Sequence, residues 1–135
     1  MKALAVIFLT IFIDLLGFGI VIPILPGLVA DDLGNPEYMV GLVAAIPPFM
    51  QFLFAPYWGS LSDRKGRRPV IMISILISTI AYLIFSFTSS IAILVVSRLL
   101  AGIGSGNFSA AQAYVADISE PAKRAKNMGL IGAAF

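Results

Sequence analysis

Gly59-Ser-Leu-Ser-Asp63-Arg64-Lys65-Gly66-Arg67-Arg68-Pro69 carries four of the nine Lys and Arg residues in the chain, and apolar segments run away from it on both sides. Lys and Arg resist translocation, so a positive cluster between two apolar segments of membrane-spanning length marks a cytoplasmic loop. The rest of the chain is oriented from this stretch.

Hydrophobic residues make up 59% of the 135 residues and charged residues 12%, whereas a soluble domain is roughly 25% charged. A helical crossing takes about 20 apolar residues, so the length accommodates four passes and the start of a fifth. The expected fold class is an all-α membrane protein, a polytopic helical bundle. Cys and His are absent, which removes the usual thiol, zinc and imidazole chemistries. No cofactor, metal site or nucleic-acid partner is expected. A membrane-embedded enzyme would need a nucleophile with its base or a metal cluster, and one mid-membrane acid does not supply either. The first apolar run reaches Leu25 and contains Asp14, which is too long and too polar for the h-region of about 7 to 15 residues in a signal peptide.

The spans are expected at 3–25, 38–58, 70–87 and 91–115, with a fifth beginning at 127–135. Pro23 and Pro26 should end the first span. Pro47 and Pro48 should kink the second, whose Gly41, Ala44, Pro48, Gln51 and Ala55 share one small, polar face. Tyr57 and Trp58 sit where aromatic interface anchors belong. The third span has no ionisable residue and is expected to face more lipid than the others. Asp117 opens a second basic loop, 117–126, in which Ser119-Glu120-Pro121 is a plausible helix start. Lys2 and both basic stretches fall on one side, while Asp31, Asp32 and Glu37 fall on the other. The N-terminus is therefore expected in the cytoplasm of a cell whose inner, or plasma, membrane holds the chain.

Two charges remain inside the membrane, Asp14 and Arg98. Counting about 1.5 Å per residue from opposite faces puts them at levels roughly 4 Å apart in a core about 30 Å thick. They would pair if spans one and four were neighbours. Such residues are costly and normally face a bundle interior or a cavity. One reading is a structural ion pair; the other is that the carboxylate binds a coupling proton or a cationic substrate. Burial favours the protonated carboxyl and a nearby guanidinium the ionised one, so a changing distance between them would let Asp14 capture and release a proton. Gln51, Ser105 and Ser109 are candidate cavity-lining residues. Asn107 is expected on the far side of its helix. Asp14 is followed by Gly17 and Gly19, and Arg98 by Gly102 and Gly104, the pattern expected of equivalent spans in an inverted repeat.

The chain resembles the major facilitator superfamily, most closely its drug:proton antiporters of the tetracycline-efflux type. Gly59, Leu61, Asp63, Arg64, Gly66, Arg67 and Arg68 match the signature between spans two and three of that superfamily. Asp14, Gly17, Gly19 and Pro23 resemble its first-span motif, and Arg98 to Gly104 its fourth-span motif. Ala101 stands where many members have Gln. The resemblance implies the N-terminal part, about four and a half spans, of a twelve-span fold whose missing C-terminal half completes the substrate site. It implies a secondary transporter with a small-molecule substrate, protons and membrane lipid as partners, Asp14 and Arg98 as a proton-linked pair, and Arg67 latched to Asp117. Asp63 would meet a helix of the second half. A stand-alone oligomeric membrane protein or channel, or a non-transporting fragment, are the alternatives.

Overall fold

Six helices follow one another in the computed structural model, which describes residues 2–135. α1 (Lys2–Pro26) passes through Pro23 and Pro26 and runs on into a π-helical segment, Gly27–Asp32. The proline-induced end expected near Pro23 is therefore displaced to Asp32. Pro26 lies where the narrow helix gives way to the wider one, and a missing N–H is cheapest at such a change of register. The segment closes with Leu33 N–H donating to the Leu28 carbonyl and Asn35 N–H to that of Val29, each at 3.0 Å.

α2 (Tyr38–Lys65) contains Pro47, Pro48 and Pro56 and extends past Trp58, so most of the basic stretch is helical. α3 (Arg67–Ser86) begins after a single linking residue, Gly66. Pro69 sits in its first turn, where no N–H is required. Gly66 has φ 97° and ψ 157°, a conformation open in practice only to glycine. One residue thus reverses the chain between two spans.

α4 (Ile91–Gly104) starts at Ser90, whose hydroxyl accepts from Ile93 N–H at 3.4 Å. The expected continuous fourth span is interrupted at Ser105 and Gly106, and α5 (Asn107–Ile118) completes it. The break is tightened by bonds from Gly106 N–H to Ile103 and from Phe108 N–H to Ser105. α6 (Arg124–Ala134) starts later than the Ser119-Glu120-Pro121 signal suggests, because Ser119 is extended (φ −92°, ψ 133°) and 121–123 form a turn. Ser119 instead accepts from Asn127 at 2.8 Å, tying the turn to α6.

α4 lies between α2 and α3. Two glycines permit this: a Cβ on Gly102 would lie 2.7 Å from the Pro47 carbonyl oxygen of α2, and one on Gly104 would lie 2.8 Å from the Ser78 backbone nitrogen of α3. α3 buries Val70, Ser74, Ser78 and Ala81 in one stripe against these neighbours. It buries a larger share of its apolar stretch than α1 or α2, which overturns its expected place as the most lipid-facing span. Ser74 turns its hydroxyl back on the helix, donating to the Val70 carbonyl at 3.0 Å, so this buried group is satisfied within α3. Val6, Leu9, Ile13, Leu16 and Ile20 of α1 are left outward. Lys2–Asp32, Tyr38–Lys65, Arg67–Ser86 and Ile91–Ile118 are each long and apolar enough to cross a membrane.

Gly66→Ala should cost about 1–3 kcal/mol through the strained backbone alone and lower the melting temperature of the complete protein in detergent. An unchanged melting temperature would mean that the junction adopts another conformation.

Candidate functional site

Asp14 is half-buried on α1, and its Oδ2 accepts a hydrogen bond of 2.8 Å from Asn107 Nδ2. Asn107 is the first residue of α5 and is 3% exposed. The two form part of the wall of a cavity of about 300 Å³, whose other polar lining comes from Gln51, Ser78, Tyr82 and Ser105. Phe18, Pro47, Pro48 and Phe108 make the remaining wall largely apolar. Few polar groups on an apolar surface is the usual composition of a small-molecule site.

Arg98 is 1% exposed, yet it does not meet Asp14. The expected ion pair is absent among the described residues. The guanidinium carbon lies 4.7 Å from the centre of the Phe85 ring and 5.7 Å from that of Tyr82. Tyr82 stands between the two charges: its ring faces Arg98, and its hydroxyl end reaches α1, where a Cβ on Gly17 would fall 2.9 Å from it. Spans one and four do meet at this level, but it is α5, carrying Asn107, that packs on α1, while Arg98 on α4 lies behind the Tyr82 ring of α3. Aromatic faces contribute about 2 kcal/mol to a desolvated cation, against an insertion cost of about 2.5–3.5 kcal/mol for a mid-membrane Arg. The rings offset much of the cost and leave Nε and Nη2 without a hydrogen-bond acceptor.

The break in the fourth span explains two further differences from the sequence reading. Counting a uniform helical angle from Arg98 puts Asn107 on the far side and Ser109 on the near one. Interruption at Ser105 and Gly106 resets the phase. Asn107 turns to Asp14, whereas Ser109 does not line the cavity and donates instead to the Gly106 carbonyl at 3.0 Å. Gln51 and Ser105 do line it. The signal that would have located Asn107 is the run Gly104-Ser-Gly106, an interruption of helical phase within an otherwise apolar span.

At the charged end, Arg67 joins three helices. Its Nε donates to Asp117 Oδ2 of α5 at 3.0 Å, its Nη1 pairs with Asp63 Oδ1 of α2 at 2.6 Å, and Nη1 also donates to the buried Ser62 hydroxyl. Each exposed pair contributes only about 0.2–1 kcal/mol. The planar fork nevertheless fixes direction, which a lysine at this position would not. Arg64 and Arg68 are exposed and form no ion pair among the described residues. Around Gly59 there is open space, with no atom within 4 Å of where its Cβ would lie.

Helices of spanning length, apolar outward faces and charges gathered beyond the spans define a multi-pass helical membrane protein. Residues 7–135 match the Major Facilitator Superfamily, and the chain belongs to that family. It is 43% identical over 136 residues to the tetracycline resistance protein, class C, of Escherichia coli, covering 99% of this chain and 34% of that protein. It is 33% identical over 162 residues to major facilitator superfamily domain-containing protein 10 of Bos taurus, covering 99% of this chain and 36% of that protein. Identity to the quinolone resistance protein NorA of Staphylococcus aureus is 31% over 133 residues, 98% of this chain and 34% of the relative. The chain thus spans about a third of the length of these relatives.

Ser62 is 1% exposed beneath the Arg67 fork. A Ser62→Cys variant of the complete protein should resist a water-soluble maleimide and become reactive when Arg67→Ala is added. Equal labelling with and without Arg67 would show that the fork does not hold these helix ends together.

Proposed function

We propose that the chain is the N-terminal part of a proton-coupled exporter of a drug or other small hydrophobic compound, tetracycline-like in class, which works by alternating access. The observation that carries this reading is the half-buried carboxylate of Asp14 in the wall of a mostly apolar cavity, held by an amide rather than by a permanent counter-charge. A carboxylate neutralised by a fixed guanidinium has little reason to take up a proton, whereas one held by a neutral donor retains both protonation states. Relatives named as tetracycline and quinolone resistance proteins support drug-like compounds as the substrate class.

In this reading Asp14 carries the coupling proton, and Arg98, held over Tyr82 and Phe85, supplies a positive field that acts on it across the Tyr82 ring. Gln51, Asn107 and Ser105 offer the cavity-side hydrogen bonds for the transported compound, and the C-terminal half closes the site from the other side. The membrane is the inner, or plasma, membrane. The basic ends of α2, α3 and α6 then lie in the cytoplasm together with the N-terminus, in line with the bias of Lys and Arg toward that side. There the Arg67 fork to Asp63 and Asp117 latches the cytoplasmic helix ends in one state of the cycle and opens in the other. The chemistry is transport, not catalysis.

The complete protein carrying Asp14→Asn should insert at the normal level, and in everted vesicles its proton-gradient-driven efflux should fall to that of vesicles lacking the protein. Gradient-driven efflux retained by this variant would remove Asp14 from the coupling step.

A further inference from the structure

The sequence places Trp58 beside Tyr57 as an interfacial anchor, and the structure separates the two: Tyr57 is 60% exposed and Trp58 4%. The indole is pressed into the break in the fourth span. Its Nε1 donates to the Ile103 carbonyl at 2.8 Å, and from the backbone that carbonyl receives a long bond of 3.4 Å from Gly106 N–H. Within a bilayer a loosened carbonyl must find its donor inside the protein. The same ring lies against Gly106, where any Cβ would overlap it. The donor on α2 and the missing side chain between α4 and α5 therefore fit one another. The next residue is Asn107, whose amide reaches Asp14.

We propose that Trp58 is a positioning residue for Asp14: its indole wedge sets the rotation with which α5 leaves the break, and so places the Asn107 amide on the carboxylate. The inference rests on the reading of Asp14 as a proton-binding group. The remainder of α5 fits the same role. Its last turn carries Asp117, held by Arg67, which also holds Ser62, one turn beyond Trp58 on α2. α5 is thus fixed near both ends with α2 taking part at each. The ionisable groups facing Asp14 are Tyr82 from α3 and, beyond its ring, Arg98 from α4. α2, α5 and the end of α6 present Gln51, Asn107 and Phe135 to the cavity. A tryptophan that only filled space would change stability and leave the proton on Asp14 untouched.

The test is the pH dependence of Asp14 modification by a hydrophobic carbodiimide, which reacts with the protonated carboxyl. It is measured on the complete protein in native vesicles from the mass of the modified peptide, with Asp14→Asn as the blank. Asn107→Leu should displace the labelling midpoint. Trp58→Phe, which keeps most of the bulk and loses the N–H, should displace it in the same direction, and should add nothing in the Asn107→Leu background because the indole acts through that amide. A wild-type midpoint in either single variant, or summed displacements in the double variant, would overturn the proposal. If Trp58→Phe inserts poorly, Gly106→Ala pushes the indole from the opposite side and is read by the same midpoint. Labelling does not require transport. Efflux that survives Asp14→Asn would therefore sink the coupling reading while leaving the epistasis to be judged separately.

Discussion

A backbone carbonyl surrounded by hydrocarbon has no water to turn to, and the fourth span is built around that restriction. Its small residues at Gly102, Gly104 and Gly106 let α2 and α3 approach closely, but a run so rich in glycine and serine does not hold one uninterrupted helix. The resulting break is tolerated because the loosened Ile103 carbonyl meets an indole N–H from the helix that has come close. Close approach thus creates the need for a donor and also supplies one. The position of the cavity follows, since the direction in which α5 departs determines which of its side chains reaches Asp14.

The intramembrane charges follow different rules. Asp14 has a neutral hydrogen-bond donor and a cavity of about 300 Å³ beside it, whereas Arg98 is sealed beneath two aromatic faces. A guanidinium disperses its charge over a plane and is weakly hydrated, so a ring face suits it better than it would an ammonium. Tyr82 belongs to both environments, being at once the lid on Arg98 and part of the cavity wall.

Much of this could be read from the chain. Apolar runs punctuated by basic stretches locate the helices because insertion depends on composition alone, and the pattern from Gly59 to Arg68 is specific enough to indicate the family. Asp14 is conspicuous because a carboxylate in an apolar span is costly wherever it points. Neighbour relations between helices were not legible. Counting residues gives the depth of Asp14 and Arg98 but not which helix faces which, and so it pairs them where the structure inserts Tyr82. Uniform helical phase hides the Asn107 amide and misplaces Ser109, since neither hydropathy nor charge marks the break at Ser105 and Gly106 that precedes both. Trp58 shows the same limit: an indole near the end of an apolar run looks like an anchor until a carbonyl elsewhere in the chain is known to need its N–H.

The junction at Gly66 has a mechanical consequence. A long loop between two spans would let each helix tilt by itself, with the slack absorbed in solvent. One residue has no slack, and the Arg67 side chain just beyond it grips Asp63 just before it. α2 and α3 therefore form a stiff hairpin, and leverage applied at the charged end must travel inward along both arms together.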